Sequence, residues 1–136
     1  MALPRALVVL GLAAAALPGC GTSDDRAQAR TTVERFFDAV RHHDGGAACQ
    51  ELSDDLRTEL ESQEKKPCDQ AVTGLDFQGG HVVRTRVYVT NAQVDLAGGE
   101  TEYLDRGPSG WEISAVICKP EDGKPASRPF QCEVQA

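Results

Sequence analysis

Aromatic residues are scarce in this chain, 5% of the total, with a single Trp and a single Met among 136 residues. Its core must therefore rest on Val, Leu, Ile and Ala, which bury less surface per residue than aromatic rings. Basic charge is also short, with 14 Lys and Arg against 21 Asp and Glu and a formal net charge of −7. That balance excludes the basic face nucleic-acid binding requires, and it provides no attraction to anionic lipid. Neither C-x-x-C nor H-x-x-x-H spacing occurs, and adjacent His42 and His43 would point apart on a helix, so no metal site is expected. No cofactor motif, repeat or low-complexity tract is present.

Long apolar runs are missing too. The one candidate, Ala6 to Leu17, is apolar or Gly throughout and follows Arg5, the only charge before position 20. As a helix it would reach only ~18 Å, against ~30 Å for the hydrocarbon core of a bilayer. A basic start, a short apolar stretch and small residues at the exit describe a secretory leader rather than a membrane span. Leu17-Pro18-Gly19-Cys20 closes it and resembles the bacterial lipoprotein signal, although Pro18 stands where Ala, Ser or Thr is more usual. The resemblance implies a leader over residues 1–19 and a lipid on the thiol of Cys20, which becomes the new N-terminus. Residues 20–26 then form the lipidated cysteine and spacer, and 27–136 a single domain. Two acyl chains on one thioether exceed the affinity of the single chain that exchanges on and off membranes. The expected location is the extracytoplasmic face of the cell membrane.

Export makes disulfides the expected state of the remaining cysteines, Cys49, Cys68, Cys118 and Cys132. Three connectivities exist for four cysteines. Cys49–Cys68 and Cys118–Cys132 are favoured because each joins near neighbours in sequence within the same half of the domain.

From about Ala27 the pattern is helical. Val33, Phe36, Phe37 and Val40 make one amphipathic stripe, and Asp44-Gly45-Gly46 reads as its stop. His42 and His43 fit a helix C-terminus better than a catalytic base, since no partner is identifiable. Ala47 to Leu52 continues helically. Ser53 or Asp54 reads as the N-cap of a helix near Asp55–Gln63, with Leu52, Leu56 and Leu60 spaced by four. Pro67 opens a last helical turn through Val72.

The second half reads as strands. Val83, Thr85, Val87 and Val89 alternate with Val82, Arg84, Arg86 and Tyr88, which predicts an apolar and a polar face. Ala92, Val94 and Leu96 follow after a turn at Thr90-Asn91, and Gly98-Gly99 marks a hairpin. Glu100 to Arg106 alternates less clearly. Trp111, Ile113, Ala115 and Ile117 mark the strongest strand, Lys119 to Pro125 reads as a surface loop, and Phe130 to Val134 as a short edge segment.

Helices first and strands after is the α+β order, with helices on one face of an antiparallel meander. Val33-Glu34-Arg35-Phe36-Phe37-Asp38-Ala39-Val40, Asp44-Gly45 before Ala47-Ala48-Cys49, Cys68, Trp111-Glu112-Ile113-Ser114-Ala115 and Cys118 with Phe130-x-Cys132 together give a resemblance. The chain resembles small secreted lipoproteins of high-GC Gram-positive bacteria with a nuclear-transport-factor-2-like (cystatin-like) domain. That resemblance implies a curved, cone-like sheet around the first helix and an apolar pocket, a scaffold shared by isomerases and by members without known activity. Fold alone does not settle function.

The expected function is a non-enzymatic, lipid-anchored envelope domain that binds a partner protein or a small apolar ligand. The alternative is a small pocket enzyme of the isomerase or dehydratase kind, which needs an inward acid–base pair. Tyr103 with Asp76 or Asp105 comes nearest to one, but an ordinary strand surface is the expectation, and no catalytic residue is assigned. Arg84, Arg86 and Tyr88 form a row suited to protein contact.

Overall fold

A computed structural model describes residues 22–120 and 130–136. The leader, Cys20 and most of the Lys119–Pro125 loop lie outside the described residues. The order is α1 (Thr22–Arg41), α2 (Gly45–Gln50), α3 (Asp54–Glu64), α4 (Cys68–Val72), then β1 (Val82–Val87), β2 (Asn91–Leu96), β3 (Thr101–Gly107), β4 (Gly110–Pro120) and β5 (Phe130–Gln135). The strands form one antiparallel sheet in the order β1-β2-β3-β4-β5. This is the α+β architecture, with helices against one face of a meander.

Helix α1 is helical from Thr22, the first described residue, and carries Asp24 and Asp25 in the first described turn. Its stripe is the centre of the core. Ala29, Val33, Phe36 and Phe37 are buried, and Phe36, Phe37 and Phe77 meet edge to face at centroid distances of 5.2 to 5.4 Å. Three rings in mutual contact put much of the chain's small aromatic content at one point.

The helix is stopped by His43 in the left-handed region (φ 56°), not by glycine. Asp44 then caps α2, its side chain accepting from the Ala47 N–H at 3.0 Å. Gly45 is buried inside α2, where a Cβ would stand 1.9 Å from the Asp69 carbonyl oxygen of α4. It therefore serves close helix packing. The Cys49–Cys68 disulfide joins the same two helices. Ser53 caps α3 through the Leu56 N–H, and Leu52, Leu56 and Leu60 are all buried. Glu51 to Ser53 also pairs with β4, the Ile113 N–H donating to the Glu51 carbonyl and the Ser53 N–H to the Ile113 carbonyl, both at 2.9 Å.

Three register shifts interrupt the sheet, one between Val82 and Arg84 in β1 and two along the β3–β4 ladder. The first corrects the expected faces of β1. Val82 pairs with Leu96 and Thr85 with Val94, so Val83 is the extra residue and is turned outward, 62% exposed. Val89 is likewise exposed, in the loop to β2. In β4 the shifts break the alternation read from Trp111 onward, so that Ile113 through Cys118 are all buried. Ile117 has φ 56°, a conformation a β-branched residue rarely adopts. The Cys118–Cys132 disulfide joins directly paired positions of β4 and β5.

Candidate functional site

A groove of about 720 Å³ opens between the C-terminal half of α1 and the start of β1. Its wall follows from two periodicities. Val33 and Phe37, one turn apart on α1, face Val82 of β1 and Leu96 of β2, which the register places side by side. Gly80 also lines it, and Gly79 beside it has φ +58°, with a Cβ there standing 3.5 Å from the Phe37 ring. The rim is charged with alternating sign. Arg41 bonds Asp38 at 3.0 Å, and Arg35 makes a two-pronged contact with Glu51 at 2.8 and 2.9 Å. Arg30 pairs with Glu34 one turn along. His81 completes the rim from the β side. Exposed pairs of this kind contribute only ~0–1 kcal/mol each, so they shape the rim more than they stabilise it.

Behind the groove lie two carboxylates that the sequence pattern did not single out. Glu100 and Glu102 follow the parity of Leu104 on β3 and point into the core, 1% and 0% exposed. Glu100 holds the loop beneath the groove, accepting from the Gln78 N–H at 2.6 Å and the Gly79 N–H at 3.2 Å. Glu102 accepts from the Ile117 N–H at 3.3 and 3.5 Å, at the residue with the unusual backbone. Burial, then the neighbouring Glu100 charge, push the Glu102 carboxyl well above its ordinary range, against the smaller pull of the Ile117 bond. A protonated Glu102 beside an anchoring Glu100 is the arrangement the geometry favours. The signal in the sequence was Leu104, whose apolar side chain assigns its face, and with it the two acids, to the interior.

The residues singled out from sequence fall elsewhere. Arg84 and Arg86 converge on Asp95, at 3.2 Å and at 2.8 and 3.0 Å, on the side of the sheet away from the helices, where Thr101 also donates to Asp95 at 2.9 Å. Tyr88 lies beyond the end of β1 and is half exposed. The register from Arg84 onward is unbroken, so Arg84, Arg86 and Tyr88 fall at alternate positions on one side of the strand and its turn. Tyr103 pairs with Gln93 and Ala115 on the face opposite Leu104, and Asp105 accepts from the Asn91 side-chain amide. Cys49, Cys68, Cys118 and Cys132 are joined in the two favoured pairs. Among the described residues no cluster of His, Cys, Asp and Glu could hold a metal ion, and no helix is long and apolar enough to cross a membrane.

Set against protein-family models, curated proteins and solved structures, the chain matches none of them.

Proposed function

We propose that this protein is a lipid-anchored domain on the extracytoplasmic face of the cell membrane, tethered through Cys20, and that its groove binds a small amphipathic ligand without chemical conversion. The observation that carries the ligand reading is the groove itself. Its ~720 Å³ falls within the 300–1,000 Å³ usual for small-molecule sites, and its apolar floor and balanced rim match a ligand of the same character. The anchor reading rests on the short leader and Leu17-Pro18-Gly19-Cys20. The bulges support a sheet that bends around α1 as in the nuclear-transport-factor-2-like cone, since each bulge kinks its strand and increases its twist.

The probe for the groove is 1-anilinonaphthalene-8-sulfonate, an apolar anion, titrated into the folded protein. Saturable one-to-one binding is expected, weakened about tenfold by Val82→Arg with the unfolding midpoint little changed. Absence of saturable binding to the wild type would sink the ligand reading. The anchor is tested separately by labelled palmitate, which the wild type should incorporate and Cys20→Ser should not.

A second reading, a small isomerase or dehydratase, draws on one observation, the buried Glu100 and Glu102 pair. A buried acid whose proton affinity is raised, beside a second carboxylate, is what such chemistry uses. Their complete burial favours the binding reading, because a substrate would have to displace the Gln78–Gly79 backbone to reach Glu100 and the Ile117 backbone to reach Glu102.

A further inference from the structure

One end of the domain collects features that the groove does not use. The large hydrophobic residues that stand exposed among the described residues are Val83, Tyr88 and Val89, all on β1 or its turn into β2. Strand β1 runs against α1. His81 and Val82 lie beside the C-terminal half of the helix, and Val82 to Thr85 beside Ser23, Arg26 and Arg30 at its start. Continuing in that direction carries Tyr88 and Val89 past the N-terminus of α1. A second connection agrees, since the Arg106 N–H donates to the Thr90 carbonyl at 2.9 Å while the Arg106 guanidinium bonds Asp25 in the first turns of α1. The hairpin tip and the helix start thus belong to one end.

Only Gly21 separates Cys20 from Thr22, the first described residue of α1. A chain extends at most ~3.6 Å per residue, so a lipid on Cys20 would hold this end within a few ångströms of the headgroups. We propose that the domain stands end-on on the bilayer, with Val89, 91% exposed, and Tyr88, 50% exposed, inserted at the lipid–water interface. The inference rests on the lipid anchor proposed above. Tyr is enriched at that depth because its ring is apolar and its hydroxyl wet. A lipid surface fits better than a protein partner, because two side chains fall far short of the ~800 Å² that a stable protein interface covers on each side. The neighbouring Asp25 is already neutralised by Arg106. End-on standing would place the groove, near the other end of α1, away from the membrane and open to solvent.

The test uses the lipidated protein in vesicles of phosphatidylcholine and phosphatidylglycerol, with bromine atoms on the phosphatidylcholine acyl chains as quenchers. Val89→Trp and Tyr88→Trp serve as independent reporters, read over the background of Trp111. His42→Trp marks the far end of α1, about 30 Å away. Val83→Trp marks a point ~20 Å back along β1. Expected is several-fold stronger quenching at 88 and 89 than at 42, with little at 83. Vesicle-bound, palmitate-labelled protein with no excess quenching at 88 and 89, or with equal quenching at 83, would overturn the end-on contact and leave the anchor intact. Protein that takes up no palmitate overturns the anchor first, and this inference with it.

Discussion

Glu102 is held wholly out of water two residues from Glu100, with the Ile117 N–H as its hydrogen-bond donor. Because its affinity for a proton is raised in the folded state, the unfolded chain gives up that proton at lower pH than the folded one. Between the ordinary carboxylate range and the raised folded value, the native state therefore binds more protons, and stability falls as pH rises. Glu102→Gln keeps the shape of the protonated acid without the titration. The variant should be more stable than the wild type at pH 8, with the difference shrinking toward pH 4, as read from urea unfolding at the two pH values. A gap that stays constant with pH, or one that reverses, would falsify the assignment of Glu102 as a buried neutral acid. Comparing variant with parent isolates this group from the other carboxylates, whose titrations are common to both.

Among the elements, α2 and α4 are short and hold their places by contact rather than by propensity, since helices of six and five residues are not stable alone. Gly45 permits their approach. Gly45→Ala should destabilise the fold by about 3 kcal/mol, at the upper end of overpacking costs, because the obstacle is backbone and cannot swing aside. An unchanged thermal midpoint would mean that α4 is not seated as described. The α1 stripe, the cap at Ser53, the glycine hairpin and the two near-neighbour disulfides depend on local spacing, and all are present in the fold. Gly45 looked like a helix stop because its real constraint lies in Asp69, distant in sequence. Val83 looked inward because one extra residue in β1 reverses the parity that alternation assumes. Glu100 and Glu102 were hidden for the opposite reason, as charged residues that local patterning assigns to solvent. The groove joins α1 to β1 and β2, and no single stretch of sequence announces it.

At the scale of the whole molecule, few aromatics and a small domain leave a core built on Leu, Val, Ile and Ala around three phenylalanine rings. Domains of this size are stable by ~5–15 kcal/mol in total. The two disulfides span sequence separations of 19 and 14, and each is expected to contribute ~3 kcal/mol by restricting the unfolded chain. One bond ties the helical half to itself and the other ties β5 to β4, so their effects should be nearly additive. Removing either pair as Cys49→Ala with Cys68→Ala, or Cys118→Ala with Cys132→Ala, should lower the urea midpoint while leaving a folded protein. Removing both should leave a substantial unfolded fraction at room temperature, visible as lost near-ultraviolet dichroism and a broadened, early transition. A quadruple variant with the parental midpoint would show that the apolar core suffices without its staples. The expected loss fits the proposed location, because a fold that needs both bonds can persist only where thiols stay oxidised, as they do outside the cytoplasm.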